Sequence, residues 1–453
     1  MLTPINPHTG VPLDPIPSLD ATQCTQVIEQ AASAFSSWSS TPIGTRAKAL
    51  VSMAEGLRNH KHELALLMAQ EMGKPYREGI AEVEKSAGCA EYYAEHGEAF
   101  LSSDTLASDA SHSYVCYQPL GAVLGILPWN APVWLALRFL APALMAGNTC
   151  VMKADPNVPA TAAKLVAIIN QSNIAPNVVQ ILPITNDLIA DAIGHSGIKA
   201  VSFTGSSAAG KIVAAQAAAH LKPAVLELGG SDPCIVLADA DIHKACDVIT
   251  LSRMINAGQS CIAAKRIIVE APIYERVCDE LYTRFTQLSM GDPSLDSASL
   301  GPIAREDLRL NLHRQVSQTI EQGARCLCGG DLPSESGFYY PPTLLIDVTP
   351  GMTAFTEETF GPVLAVVKAD DFSHALALAN ETDYGLGSSI WTSNSVNAQA
   401  AITQLQAGQI AVNGIVKTDP RLPSGGIGLS GYGRELGPHG IKEFVNTKQV
   451  WIA

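Results

Sequence analysis

Cys261 ends the segment Gly258-Gln259-Ser260-Cys261, and Glu227 begins Glu227-Leu228-Gly229-Gly230, 34 residues before it. A thiol attacks carbon as its thiolate, and a carboxylate can take a proton from that thiol or from a water. The neighbours of Cys261, Ala257 to Ser260 before it and Ile262-Ala263-Ala264 after it, are small or uncharged. They leave room for a substrate and let backbone N–H groups face the reacting carbon. A third element is Asn130, held between two prolines in Pro128-Trp129-Asn130-Ala131-Pro132. An amide fixed this way suits an oxyanion hole, worth about 3 kcal/mol in known cases. Each residue also has an ordinary reading: a packed cysteine, a strand-end carboxylate, an asparagine satisfying its own turn. Together they point to covalent catalysis at sulfur.

The elements that must position these groups are legible as apolar runs. Those at 122–127, 149–153, 178–182 and 199–204 read as buried strands, with helices at 158–170, 185–194 and 208–219 between them. Buried strands alternating with helices mean βαβ units on a parallel sheet. The signal restarts after Gly230, with runs at 233–237, 266–269, 364–367, 388–391 and 409–413. Two successive α/β domains follow, hinged between Glu227 and Gly230. Ahead of them, 21–38, 46–72 and 77–102 read as helices, the first two amphipathic. Residues 113–118 suit a strand or hairpin, and 443–452 a terminal strand of the kind that pairs with another subunit.

One strand-to-helix turn has a second use. Phe203-Thr204-Gly205-Ser206 closes a strand and Ala208-Ala209-Gly210-Lys211 opens a helix, so N–H groups and the helix dipole converge where a phosphate could sit. The turn lacks the G-x-G-x-x-G spacing, and an ordinary tight turn fits it as well. Lys153, at the end of its strand, could reach a ribose hydroxyl or stay solvated.

Composition narrows the partners. The chain has 453 residues, enough for two or three domains, and a net charge of −14 with no basic run. That balance argues against nucleic acid and anionic membranes. Ten cysteines read mostly as small buried hydrophobes, and the Cys326/Cys328 pair lacks the companions a zinc site needs, so no metal is expected. Residues 1–20 are polar and proline-rich, and every apolar stretch is interrupted short of a membrane span. A reducing cytoplasm fits.

Seven segments, in order, resemble the aldehyde dehydrogenase superfamily: PWNAP at 128–132, FTGS at 203–206, ELGG at 227–230, GQSC at 258–261, EETFGP at 357–362, Asn380 with Thr382 and Tyr384-Gly385-Leu386, and SGYGRE at 430–435. The resemblance runs from Asn6 to the C-terminus. It implies two Rossmann-like α/β domains with a small β oligomerisation element. Residues 1–105 and 121–227 would bind the dinucleotide, 228–415 would carry the thiol, and 106–120 with 436–453 would supply strands for a homodimer or homotetramer. It also implies that Cys261 attacks the aldehyde, that Asn130 and the Cys261 N–H hold the oxyanion, and that Glu227 activates the water that hydrolyses the thioester. Trp129, Asn130, Lys153, Thr204, Gly205, Ser206, Leu228, Glu358 and Phe360 would hold NADP or NAD, through a turn other than the usual fingerprint.

Within that superfamily Asp419 to Pro423, Glu227 to Pro233 and Arg138 are similar to the short succinate-semialdehyde dehydrogenases. A guanidinium at Arg138, on the helix leaving the Asn130 loop, could bind a substrate carboxylate bidentately, with a hydroxyl donor from Thr418 and a wall from Trp134. The ordinary reading of Arg138 is a structural salt bridge, and the alternative function is broad-specificity aliphatic aldehyde oxidation. Ser424 stands where the pattern has Phe and is expected to widen the substrate tunnel; Leu429 replaces a basic residue. Pro156 occupies a position where NAD-preferring relatives often carry Glu, which favours NADP, while Asp155 beside it could restore some preference for NAD.

Overall fold

The computed structural model describes residues 1–296, 299–334 and 336–453, and it contains three sheets. Six strands form the first, in the order Gly431–Tyr432, Ala224–Glu227, Ile198–Thr204, Ala122–Leu127, Thr149–Ala154, Val179–Ile181. All neighbours run parallel except Gly431–Tyr432, which pairs antiparallel with Ala224–Glu227. Ala122–Leu127 is buried on both faces, which is why it reads as a continuous apolar run rather than an alternating one. Strand order reverses between Ala122–Leu127 and Ile198–Thr204. A crevice opens at such a reversal beyond the C-terminal strand ends, and those ends lead into Trp129-Asn130 and Gly205-Ser206.

The second sheet has seven strands, ordered Arg325–Cys328, Thr343–Ile346, Val363–Ala369, Arg266–Glu270, Pro233–Val236, Gly387–Trp391, Gln409–Val412. Only its Arg325–Cys328 edge is antiparallel. The third sheet joins Asp104–Thr105, His112–Pro119 and Val445–Ile452. Its terminal strand pairs over eight residues with His112–Pro119 of the same chain, and its other edge is unpaired among the described residues.

Helices Ile43–Asn59 and Lys61–Met72 replace the single helix expected over 46–72. The chain turns at His60, where φ −111° and ψ 12° leave the helical region and the ring Nδ1 meets the Gly56 carbonyl at 2.9 Å. Tyr76–Phe100 packs on both and on the wholly buried helix Pro132–Ala146. Close packing there requires glycine at 97, because a Cβ would strike the Met145 side chain.

Candidate active site

Two loops face one cavity of about 370 Å³. The first leaves strand Ala122–Leu127 and carries Trp129 and Asn130 into helix Pro132–Ala146, with Pro132 at the first turn, where its fixed φ suits a helix start. The N-terminus of that helix is satisfied from outside: Val133 and Trp134 N–H groups donate to Glu82 Oε1 at 2.9 and 3.0 Å. Lys74, buried, pairs with Glu82 and donates to the Asn130 carbonyl at 2.8 Å.

The second loop joins helix Ile242–Met254 to strand Arg266–Glu270 and carries Cys261. Asn256, Ala257 and Gly258 are all left-handed, with φ of 56°, 52° and 75°. Such a run is sterically costly for residues with a Cβ and persists only where the surroundings hold it. Here buried cations do so: Arg253 donates to the Gly258 carbonyl, and Lys265 to those of Ser260 and Cys261 at 3.0 and 2.7 Å. The loops are also tied to each other. Asn130 Nδ2 donates to the Gln259 carbonyl at 3.1 Å, and Asn256 Nδ2 to the Asn130 carbonyl at 2.8 Å.

Cys261 is half-buried and lines the cavity with Asn130, Trp134, Arg138 and Thr418. Burial pushes its thiol up to about 11, against the pull of Lys265 and Arg138 and with the help of Glu227 and Glu358. Glu227, at the end of its strand, is fully enclosed; burial raises its carboxyl to about 7, with Arg138 pulling down and Glu435 pushing up. Arg138 lies beside this carboxylate. Its Nη2 donates to Glu227 Oε2 at 2.9 Å and also pairs with Glu435, so the guanidinium expected to face a substrate is engaged by two carboxylates of its own chain. Burial works against its charge, but Glu435 and Glu227 outweigh that and raise its pKa.

Ser424 is buried in a two-way backbone bridge with Glu435, at 2.7 and 2.8 Å, and its hydroxyl accepts from Gln409 Nε2 at 3.4 Å; it is not among the residues that line the cavity.

The groups assigned to a dinucleotide lie at or just after C-terminal strand ends of the first sheet, except Glu358 and Phe360, which precede Val363–Ala369 of the second. Phe360 packs edge-on to Trp129, ring centroids 5.9 Å apart. Glu358 Oε1 accepts the Gly230 N–H at 3.1 Å and sits 3.4 Å from Lys265 Nζ; a Cβ on Gly229 would collide with this carboxylate. Lys153 Nζ donates to Asn186 Oδ1 at 2.9 Å, and Asp155 accepts the Asn157 N–H at 2.9 Å, its carboxyl raised by burial beside the half-buried Pro156. Thr204 Oγ1 is buried without a partner among the described residues, Gly205 leaves room against the Phe203 ring, and Ser206 caps helix Ser207–Ala219 through the Ala209 N–H. Leu228 presses on Gly210, so the helix lies close to the sheet. An orphaned hydroxyl, a glycine cradle and a 13-residue helix aimed at the same crevice fit a phosphate-bearing cofactor.

Sequence reasoning left out Lys74, Lys85, Glu82, Arg253 and Lys265, and met Glu435 only as a motif letter. Lys85 meets Thr418, 333 residues on, and Arg253 and Lys265 bind backbone carbonyls of a loop whose shape no residue pattern marks.

The description "Aldehyde dehydrogenase family" matches residues 2–450. A probable NADP(+) succinate-semialdehyde dehydrogenase of Synechocystis sp. is 43% identical, covering 99% of both chains. An NAD(P)+ succinate semialdehyde dehydrogenase of Escherichia coli is 42% identical, covering 99% of this chain and 97% of that one. Among solved structures, succinic semialdehyde dehydrogenase from Streptococcus pyogenes in complex with NADP+ superposes with a TM-score of 0.97 at 31% identity, covering 100% of each chain. Sequence and fold agree over the whole length, and the chain belongs to the aldehyde dehydrogenase family.

Proposed function

We propose that this protein oxidises succinate semialdehyde to the dicarboxylic acid with NADP or NAD. The observation that carries the reading is one cavity lined by Cys261 and Asn130, with Glu227 ion-paired to the Arg138 of its wall. The activities named for the relatives from Synechocystis and E. coli support the substrate. Cys261 attacks the aldehyde carbon, and Asn130 Nδ2 with the Cys261 N–H takes the oxygen as it gains charge. At rest the thiol is neutral, so attack requires a base to remove its proton. Trp129, Lys153, Thr204 to Ser206, Leu228, Glu358 and Phe360 would hold the dinucleotide, and Asp155 and Pro156 would bear on its adenosine ribose. The dinucleotide would supply a hydride acceptor, so that the acyl group is left on Cys261 as a thioester. Glu227 then takes a proton from the water that attacks this thioester, which releases the acid and restores Cys261.

The cofactor unit is read as 1–105 with 121–227, and the thiol unit as 228–415. Segments 106–120 and 436–453 hold a sheet whose free edge suits a second subunit in a homodimer or homotetramer. Ten free cysteines suit a reducing cytoplasm, and no helix among the described residues is long and apolar enough to cross a membrane.

A second reading, broad aliphatic aldehyde oxidation, is favoured by the engagement of Arg138 with Glu227 and Glu435. The test is a panel of succinate semialdehyde, butanal and hexanal assayed with NADP and NAD in parallel. A higher kcat/KM for succinate semialdehyde supports the first reading; equal values favour the second. No reduction of either cofactor at pH 7–9 overturns both. The acid limb of the pH profile is expected near 7, activity rising as the raised Glu227 carboxyl ionises, and Glu227→Gln is expected to abolish that limb.

A further inference from the structure

We propose that Lys85 recognises the distal carboxylate of the substrate, held for that purpose by Thr418 and Trp134. The inference rests on the semialdehyde reading above and names the group that gives it selectivity. The cavity wall carries several charged groups, and most already have partners. Lys74 is taken by Glu82 and the Asn130 carbonyl, Arg138 by Glu227 and Glu435, and Glu78 accepts the Asn256 N–H at 2.7 Å.

Lys85, on helix Tyr76–Phe100, differs. Its Nζ donates to Thr418 Oγ1 at 2.7 Å and lies 4.0 Å over the Trp134 ring, and among the described residues no carboxylate pairs with it. An ammonium has three donors, and this one spends one of them on a neutral hydroxyl. Its side chain is open to the cavity rather than sealed under it, so a guest can reach it. Lys417 also lines the cavity and is exposed like Lys85, but among the described residues it makes no side-chain contact of this kind, so nothing fixes its position. A cation already fixed by a hydroxyl and an aromatic face loses little freedom on binding an anion. The cavity that holds Lys85 and Cys261 is also lined by Trp134, Ile262, Ile415 and Val416, apolar side chains available to methylene groups. A short chain with an aldehyde at one end and a carboxylate at the other suits a cavity with that lining.

The electrostatics agree. Partial desolvation and the nearby Arg138 charge lower the Lys85 pKa to about 8, while Glu82, Cys89 and Asp419 act in the opposite sense. A bound carboxylate adds to that second group and raises the pKa. Binding near pH 8 is therefore expected to draw a proton onto Lys85.

The experiment compares kcat/KM for succinate semialdehyde and for butanal, its uncharged four-carbon counterpart, in the wild type, Lys85→Met and Lys85→Arg. The succinate semialdehyde to butanal ratio is expected to fall about tenfold in Lys85→Met and to recover in Lys85→Arg. An unchanged ratio in a folded Lys85→Met protein overturns the proposal. If Lys85→Met does not fold, the wild type supplies the test. Its KM for succinate semialdehyde, relative to butanal, is expected to rise between pH 7 and 9.5, and a flat ratio overturns the proposal. A wild type that oxidises butanal but shows no preference for succinate semialdehyde would instead defeat the semialdehyde reading itself.

Discussion

The two loops that meet at the cavity are held in different ways. The Asn130 loop is stiffened by what surrounds it in sequence, a proline on either side and a helix start immediately after. The Cys261 loop owes its shape to buried cations on its own flanks: Arg253 and Lys265 bind its carbonyls, and these bonds hold three consecutive left-handed residues in place. Proline stiffness costs little to maintain and little to lose. A strained loop buttressed from within concentrates its stability in a few contacts, so single changes there should cost far more.

The sharpest way to break this contrast is Gly258→Ala. At φ 75° alanine is strained, and its Cβ would meet the Gly361 carbonyl and the Arg253 guanidinium. Strain and overpacking together are expected to cost about 4 kcal/mol in urea unfolding, with loss of thiol-dependent activity. Lys74→Met comes next, because it leaves Glu82 buried with only the Val133 and Trp134 N–H groups for partners. The expected cost is about 3 kcal/mol by the same measurement, with a lowered kcat as the Asn130 carbonyl loses one of its two donors. Pro132→Ala should be the mildest, about 0.5 kcal/mol, since the N1 position tolerates alanine and the effect acts through the unfolded chain. If Pro132→Ala costs as much as Gly258→Ala, the two loops are held alike and the contrast fails.

The same contrast explains what could be read from the chain. A strand such as Ala122–Leu127 announces itself because a parallel strand covered on both faces is apolar throughout. Cys261, Glu227 and Asn130 stand out because chemistry needs those residue types beside glycine or proline, and that requirement is local. The break at His60 was invisible, since no proline or glycine marks it and packing against Tyr76–Phe100 decides it. Arg138 was visible as a cation but not as one already claimed, because Glu227 is 89 residues away and Glu435 lies farther still along the chain. Lys85 is one of several charges along a long helix until Thr418, 333 residues later, gives its ammonium a fixed place.

The pairing of Gly431 with Glu227 has a consequence for the order in which the protein is made. A chain emerging from the ribosome completes five strands of the first sheet by Glu227, and then produces the whole second sheet before residue 431 appears. Until then Ala224–Glu227 is an open sheet edge, and Glu435 has not been synthesised to share Arg138. A nascent chain thus carries its thiol long before the carboxylate beside it is fully housed. The last twenty-odd residues, which also supply Val445–Ile452, finish both the first and the third sheets at once. Folding of the reactive centre is therefore one of the final events of synthesis rather than an early one.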